Sequence, residues 1–144
     1  MGILFSETHE LLGGIYPAAF TTEQNTAWID ASKHNRFAVV VRAGNIGTSL
    51  DVDIEICTDG AGANLHTLKS MTQLTEAGGD DSSTVIIEIR ADELTKPSGT
   101  SAINFTHFRV EVTPNGSTIV DVAVFGFDAR YEPVPTTLLD EVVK

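Results

Sequence analysis

The strongest constraint on the fold comes from two alternating strand patterns that flank Thr113-Pro114-Asn115-Gly116. Proline suits the second position of a type I turn, asparagine the third, and glycine the left-handed residue that follows. A three-residue loop pairs Val110 with Val120, Phe108 with Val122, Arg109 with Asp121, and Phe105 with Phe125. This register separates apolar from charged side chains better than the register of a two-residue loop does. The stretch 102–131 therefore predicts a β-hairpin at the centre of an all-β domain.

Other short segments share the strand character of this stretch. Residues 36–42 form a continuous apolar run, which is typical of a strand covered on both faces. Residues 50–57 alternate, with Leu50, Val52, Ile54 and Ile56 on one side of the strand. With residues 84–90 and the predicted hairpin, the chain has about seven or eight antiparallel strands separated by turns. This pattern predicts an all-β fold, a β-sandwich that is jelly-roll-like.

The two ends of the chain differ from its middle. Residues 1–25 predict an extended N-terminal arm with one short strand near 15–20, because Gly13-Gly14 and Pro17 interrupt any helix. Residues 26–135 are the predicted β-sandwich domain, and residues 136–144 are a C-terminal tail. Within the domain we expect a loop and a short strand over 63–76 and one helical turn over 91–94.

Charge and composition narrow the classes of partner. The formal net charge is −11 and the sequence pI is about 4.5, with no cluster of lysine and arginine. These values argue against nucleic acid and anionic membranes as partners and favour solubility or docking on a basic surface. We expect no secretory signal and no membrane span, because the start lacks a basic segment and no apolar run approaches about 18 residues. Cys57 stands alone at the end of a strand pattern, which predicts a buried residue rather than a disulfide or a zinc ligand.

Few residue patterns point to chemistry. Asp51, Asp53 and Glu55 alternate on one strand face, and such carboxylates can approach a calcium ion. Their outer members are roughly 13 Å apart at about 3.3 Å per residue, so an acidic face open to solvent or a partner is the alternative. The four histidines are scattered without metal-ligand spacing. No nucleophile elbow, phosphate-binding loop or dinucleotide fingerprint is present, so we expect no enzyme activity and no cofactor.

Two segments are candidates for contact with a partner. The N-terminal arm is too apolar to extend freely into water, so it packs on its own domain or on a neighbouring subunit. Residues 130–134 follow the second strand of the predicted hairpin. They either end that strand or dock on another subunit. The candidate partner-binding residues are Ile3, Leu4, Phe5, Leu11, Leu12, Tyr16, Phe20, Arg130, Tyr131 and Pro133.

Several short strings resemble a known group of proteins. They are the valine-rich strand 36–42, Met71 to Thr75, Arg90 to Leu94, Arg109 to Thr113, and Asp128 to Val134. Their order, over roughly residues 26–135, resembles small structural proteins encoded in tailed-phage head modules, notably head decoration (cement) proteins. The resemblance implies a virion protein without catalytic residues, made in the host cytoplasm and bound to the capsid exterior. The implied partners are the major capsid protein and further copies of the chain, as a homodimer or homotrimer at a local symmetry axis.

Two other classes of function stay open. One is a different virion component, such as a tail, connector or head-fibre module, which would differ from a cement protein in its position on the particle. The other is a carbohydrate- or ligand-binding β-sandwich, which requires exposed aromatic side chains or a calcium site. Trp28, Tyr16 and Tyr131 are the only tryptophan and tyrosines of the chain.

Overall fold

The computed structural model of the chain describes residues 5–95 and 103–130. Within these ranges, the elements in chain order are α1 (Phe5–Thr8), β1 (His9–Phe20), β2 (Gln24–Asn25), β3 (Ile29–Asp30), β4 (His34–Ala43), β5 (Ser49–Cys57), β6 (His66–Ser70), β7 (Leu74–Thr75), β8 (Thr84–Arg90), α2 (Ala91–Thr95), β9 (His107–Asn115) and β10 (Thr118–Ala129). None of the helices described in these ranges has the length and apolar character needed to cross a membrane.

The strands form two antiparallel sheets. The order β1-β10-β4-β8 makes a four-stranded sheet, and β2-β9-β5-β6 is the path through a six-stranded sheet that also holds β3 and β7. Three of the strands, β2, β3 and β7, are only two residues long. The predicted all-β, jelly-roll-like sandwich is confirmed, and so is the predicted helical turn, which is α2. Over residues 63–76, where we expected a loop followed by one short strand, the chain forms two short strands, β6 and β7.

The core lies between the inward faces of the two sheets. The predicted apolar side of β5 is confirmed, because Leu50, Val52, Ile54 and Ile56 are all buried. From the other sheet, Phe37 meets Phe108 edge to face, with ring centroids 4.9 Å apart. Cys57 is free and buried, as predicted. Alternation with a period of two thus supplies one apolar surface from each sheet.

The predicted hairpin is wrong, because β9 and β10 belong to different sheets. β9 pairs with β5, so that Val110 lies opposite Ile54, and β10 pairs with β4, so that Val122 lies opposite Val41. The four predicted cross-strand pairs therefore do not form. Gly116 is left-handed as predicted, with φ of 81°. The turn at Gly116 carries the chain from one sheet to the other rather than folding it back within a sheet.

The pairs predicted by matching apolar and charged side chains do not form, for a physical reason. Val110 and Val120 are both fully buried on the inward faces of opposite sheets, so their shared apolar character reflects the core and not lateral pairing. The charged pair was also assigned to the wrong partners. Arg109 instead contacts Glu55 on β5, and Asp121 contacts Arg42 on β4.

The N-terminal segment is part of the sandwich in the described residues. β1 pairs with β10 from His9↔Phe127 to Phe20↔Thr118, a longer strand than the short one predicted near 15–20. The pairing therefore extends into the predicted arm, residues 1–25. Residues 136–144 lie outside the described ranges, and the proposed division into arm, domain and tail stays a prediction.

Candidate functional site

The middle of the outward surface of the four-stranded sheet is apolar. Two rows of paired residues cross its first three strands: Leu11↔Phe125↔Ala38 and Gly14↔Ala123↔Val40. Their chain neighbours Val39, Val41, Val122 and Val124 point into the core, so alternation directs the rows outward. We call Leu11, Ala38, Val40, Ala123 and Phe125 the apolar face. A soluble chain seldom leaves such a surface bare, so this is the first candidate for contact with a partner.

One end of the apolar face is aromatic. Phe5, which is 60% exposed, stacks on His9 at 4.2 Å between ring centroids and meets Phe125 edge to face at 5.6 Å. The Arg36 guanidinium lies 4.8 Å from the centre of the Phe127 ring. Aromatic residues and arginine are enriched at protein–protein interfaces.

The other end of the apolar face holds Tyr16, which is 89% exposed. The register of β1 shifts between Leu11 and Gly13 and again between Ile15 and Ala18. Such irregularities insert residues that have no hydrogen-bonding partner on the neighbouring strand, and they turn these residues outward. Tyr16 borders a cleft of about 360 Å³ whose lining includes Pro17, Arg42 and Asp121.

An ion pair forms the polar wall of this cleft. Arg42 Nε donates to Asp121 Oδ1 at 2.9 Å, and Arg42 Nη2 donates to Asp121 Oδ2. Because both contacts are made, the guanidinium is held in the plane of the carboxylate. The cleft therefore places an exposed aromatic ring beside a fixed pair of donor and acceptor groups.

A buried ionisable pair lies beneath the aromatic end. His34 Nε2 is 3.3 Å from Glu10 Oε2, and His34 is only 1% exposed. The two side chains meet across β10 at Gly126, where an added Cβ would lie 2.7 Å from the His34 ring. Burial raises the pKa of Glu10, with Lys33 opposing, while burial and then Lys33 lower the pKa of His34. Both shifts favour the uncharged forms.

The outward surface of the six-stranded sheet is charged. Arg109 Nε donates to Glu55 Oε2 at 2.7 Å, and the Arg109 guanidinium lies 4.9 Å from the centre of the Trp28 ring. Asp51 accepts from Gln73 Nε2 at 2.8 and 3.0 Å. Burial, followed by the Glu55 charge, raises the pKa of Glu111.

This surface bears on the calcium hypothesis. Asp51 and Glu55 bind Gln73 and Arg109, and Asp53 pairs in register with Glu111. In residues 5–95 and 103–130, no three His, Cys, Asp or Glu side chains are grouped so that they could hold a metal ion. Asp51, Asp53 and Glu55 thus lie on the outward side of β5, where Gln73 and Arg109 already contact two of the three carboxylates.

The structure divides the predicted partner-binding residues into four groups. Phe5, Leu11 and Tyr16 lie on or beside the apolar face, while Leu12 and Phe20 pack against the core. Arg130 Nε donates to Asn35 Oδ1 at 3.0 Å, next to the end of β10. Ile3, Leu4, Tyr131 and Pro133 lie outside the described residues. A role in binding stays a prediction for all ten.

Sequence reasoning missed most of the apolar face. The available signal was the run from Phe37 to Val41, together with Val122 to Phe127, where apolar residues occupy both strand faces. We interpreted the first run as a strand covered on both sides. The structure covers one side with the core and leaves Ala38 and Val40 only half-buried on the other.

Comparisons with known proteins add a likeness of fold. No protein-family model matches the sequence, and no curated protein sequence matches it. A chain of a Cowpea Mosaic Virus empty virus-like particle is 10% identical, with 99% of this chain and 95% of that chain covered and a TM-score of 0.51. The SPBc2 prophage-derived protein YomS is 9% identical, with 88% and 99% covered and a TM-score of 0.48. A cellulose-specific carbohydrate-binding module, CBM28, is 6% identical, with 84% and 75% covered and a TM-score of 0.47.

Proposed function

We propose that this chain is a virion structural protein of a tailed phage and performs no catalysis. It binds the outside of the capsid and stabilises it by bridging neighbouring major capsid proteins, as a cement protein does. The observation that carries the proposal is the apolar face of the four-stranded sheet, with exposed Phe5 and Tyr16 at its two ends.

The composition of the apolar face suits a stable protein contact. Its centre is aliphatic and aromatic, and its border carries the ion pairs Arg42–Asp121 and Arg36–Asp128. An apolar centre with a polar rim is the usual anatomy of a specific interface. Because β-strands hold the face, little conformational entropy is lost when a partner covers it.

Three whole-chain properties support binding to a shell. The fold resembles that of a chain from a virus-like particle, and short strings resemble tailed-phage head proteins. The net charge of −11 keeps the free protein soluble and favours a basic target surface. Binding at many symmetry-related sites lets modest contacts add to a large stabilisation of the shell.

The direct test is reconstitution on particles of the parent phage that lack this chain. Purified wild-type protein should bind these shells saturably and raise the temperature at which they open. Val40→Glu places a charge in the centre of the apolar face and should abolish both effects. Leu65→Glu is the matched control, because Leu65 is also exposed but lies outside the face. Absence of wild-type binding, or equal binding by Val40→Glu, would overturn the proposal.

The same particles separate a cement protein from another virion component. A labelled wild-type chain should cover the head uniformly in electron micrographs. Label confined to the tail, the connector or a single vertex would assign the chain to one of those parts instead.

A second candidate function is binding of a carbohydrate, and the Tyr16 cleft favours it. An exposed tyrosine ring can stack on a sugar, and the Arg42–Asp121 pair beside it offers donors and acceptors for hydroxyl groups. On this alternative, Tyr16→Ala would abolish binding to an immobilised glycan array that the wild type recognises. Absence of any glycan bound by the wild type would exclude it.

A further inference from the structure

The outer strands of the two sheets differ in how they resist pairing with another chain. β1 is irregular and contains Pro17, β2 has only two residues, and β6 has a register shift and carries Lys69. Each of these features discourages the addition of a further strand. β8 has none of them: its seven residues pair with β4 in unbroken register and include no glycine, proline or lysine.

Two hydrogen bonds show which backbone groups of β8 point toward β4 and which point toward the open edge of the sheet. The Ser83 carbonyl accepts from Ala43 N–H at 2.9 Å, so the backbone of Ser83 points toward β4. The Glu88 carbonyl instead accepts from Lys69 Nζ at 2.6 Å, on the side away from β4. Alternation along an antiparallel strand then directs the backbone groups of Thr84, Ile86 and Glu88 toward the open edge.

The side chain at the middle of this edge is apolar. Ile86 is 61% exposed and continues the row that contains Val40. Natural edge strands usually place a charge or a bulge at such a position. A partner strand would remove the exposed isoleucine from water and would pair with the backbone groups of Thr84 and Ile86.

We propose that β8 pairs antiparallel with β8 of a second copy of this chain across a two-fold axis. Ile86 then faces Ile86 of the second copy, Thr84 faces Glu88, and on the inward side Val85 faces Ile87. The arrangement is self-complementary, as a two-fold interface requires. The two four-stranded sheets become one continuous sheet.

This register is preferred over its neighbours by the same side-chain chemistry. A shift toward Arg90 sets Ile86 against Glu88, and a further shift sets two Glu88 carboxylates against each other. Lys69 does not block the proposed register, because a carbonyl oxygen has two lone pairs and can accept from a second N–H.

The dimer is inferred from β8 alone and does not depend on attachment to a capsid. If both proposals hold, the dimer presents two apolar faces on one continuous sheet. Two linked faces bind neighbouring sites on a shell more tightly than one face does. This would account for bridging by a chain of only 144 residues.

Sedimentation of the purified protein over a range of concentrations tests the dimer without any shell. The wild type should shift from monomer to dimer as its concentration rises. Ile86→Lys should remain monomeric with an unchanged circular-dichroism spectrum, whereas Leu65→Lys should dimerise like the wild type. A wild type that stays monomeric, or an Ile86→Lys variant that dimerises equally, would overturn the inference.

Two measurements test the pairing mode and the register. Amide hydrogen exchange over 84–90 should slow as the concentration of wild-type protein rises. On oxidation, Ile86→Cys should form a disulfide-linked dimer and Glu88→Cys should not, while the buried Cys57 gives no background. Exchange that does not depend on concentration would exclude the β8 edge, and crosslinking through Glu88→Cys alone would exclude this register.

Discussion

The middle of the outward surface of the four-stranded sheet is lined by Leu11, Ala38, Val40, Ala123 and Phe125, whereas Asp51, Asp53, Glu55, Arg109 and Glu111 line that of the six-stranded sheet. Both sheets contribute equally alternating strands to the same core. The difference therefore lies in the outward residues and not in how the two sheets build the core. The charged surface keeps the chain in solution, and the apolar face is available for a partner.

The largest expected change in stability distinguishes the two faces of β4. Val39 is fully buried and its neighbour Val40 is half-buried on the apolar face. Val39→Asp places an unpaired charge in the core and should lower the free energy of unfolding by about 4 kcal/mol or more. Val40→Asp should cost about 1 kcal/mol, the range of strand propensity. Urea denaturation measures both, and similar losses would show that the apolar face is part of the folding core.

The next effect compares the ion pairs of the two surfaces. The Arg109 and Glu55 side chains are 22% and 10% exposed, whereas those of Arg42 and Asp121 at the rim of the apolar face are 66% and 14% exposed. Arg109→Met leaves the Glu55 carboxylate without its partner and should cost about 2 kcal/mol. Arg42→Met should cost less, because the exposed Arg42 guanidinium already lies in water, which weakens its attraction to Asp121. A larger loss of stability for Arg42→Met than for Arg109→Met in thermal melts would contradict this ranking of the two ion pairs.

The buried pair of the four-stranded sheet predicts a dependence of stability on pH. Because the pKa of His34 is lowered in the folded state, the unfolded chain takes up its proton first as the pH falls below about 6.5. Stability should therefore decrease on acidification through this window. Glu10 has a raised pKa and acts in the opposite sense, since the folded state binds its proton more readily as the pH approaches 4.5.

Replacement of His34 tests this dependence. His34→Gln should show a smaller fall in Tm than the wild type between pH 7 and about 5.5, because the proton uptake by the unfolded state is removed. Parallel Tm curves for wild type and His34→Gln would contradict the predicted linkage.

The smallest expected effect on stability belongs to Tyr16. Since its side chain is almost fully exposed, Tyr16→Ala should change the free energy of unfolding by no more than about 0.5 kcal/mol. The same variant should weaken attachment to the shell if the apolar face is the docking surface. Loss of stability without loss of binding would assign Tyr16 to the fold rather than to a partner.

Sequence patterns identified the strand character of β4, β5, β8, β9 and β10, and also the left-handed glycine at 116. They identified the inward side of β5 residue by residue, because alternation is a local property that neighbours in the chain determine. They also placed Phe5, Leu11 and Tyr16 among the candidates for contact, since apolar residues near an end of the chain need an explanation.

The pairing of strands was beyond the reach of the same patterns. Val110 and Val120 match equally well as lateral neighbours in one sheet or as buried residues of two opposed sheets, since either arrangement removes them from water. The charges did not resolve this, because Arg109 and Asp121 each have another partner of opposite sign nearby.

The amino-acid order by itself determined the all-β class, the position of the turn at Gly116 and the buried side of β5, since these depend on local periodicity and backbone sterics. Only the tertiary structure decided that β9 and β10 separate into two sheets, that β1 joins β10, and that Val40 and Phe125 face outward. Those outcomes depend on contacts between segments far apart in the chain. The free energies of the alternative strand pairings differ little until the whole core closes.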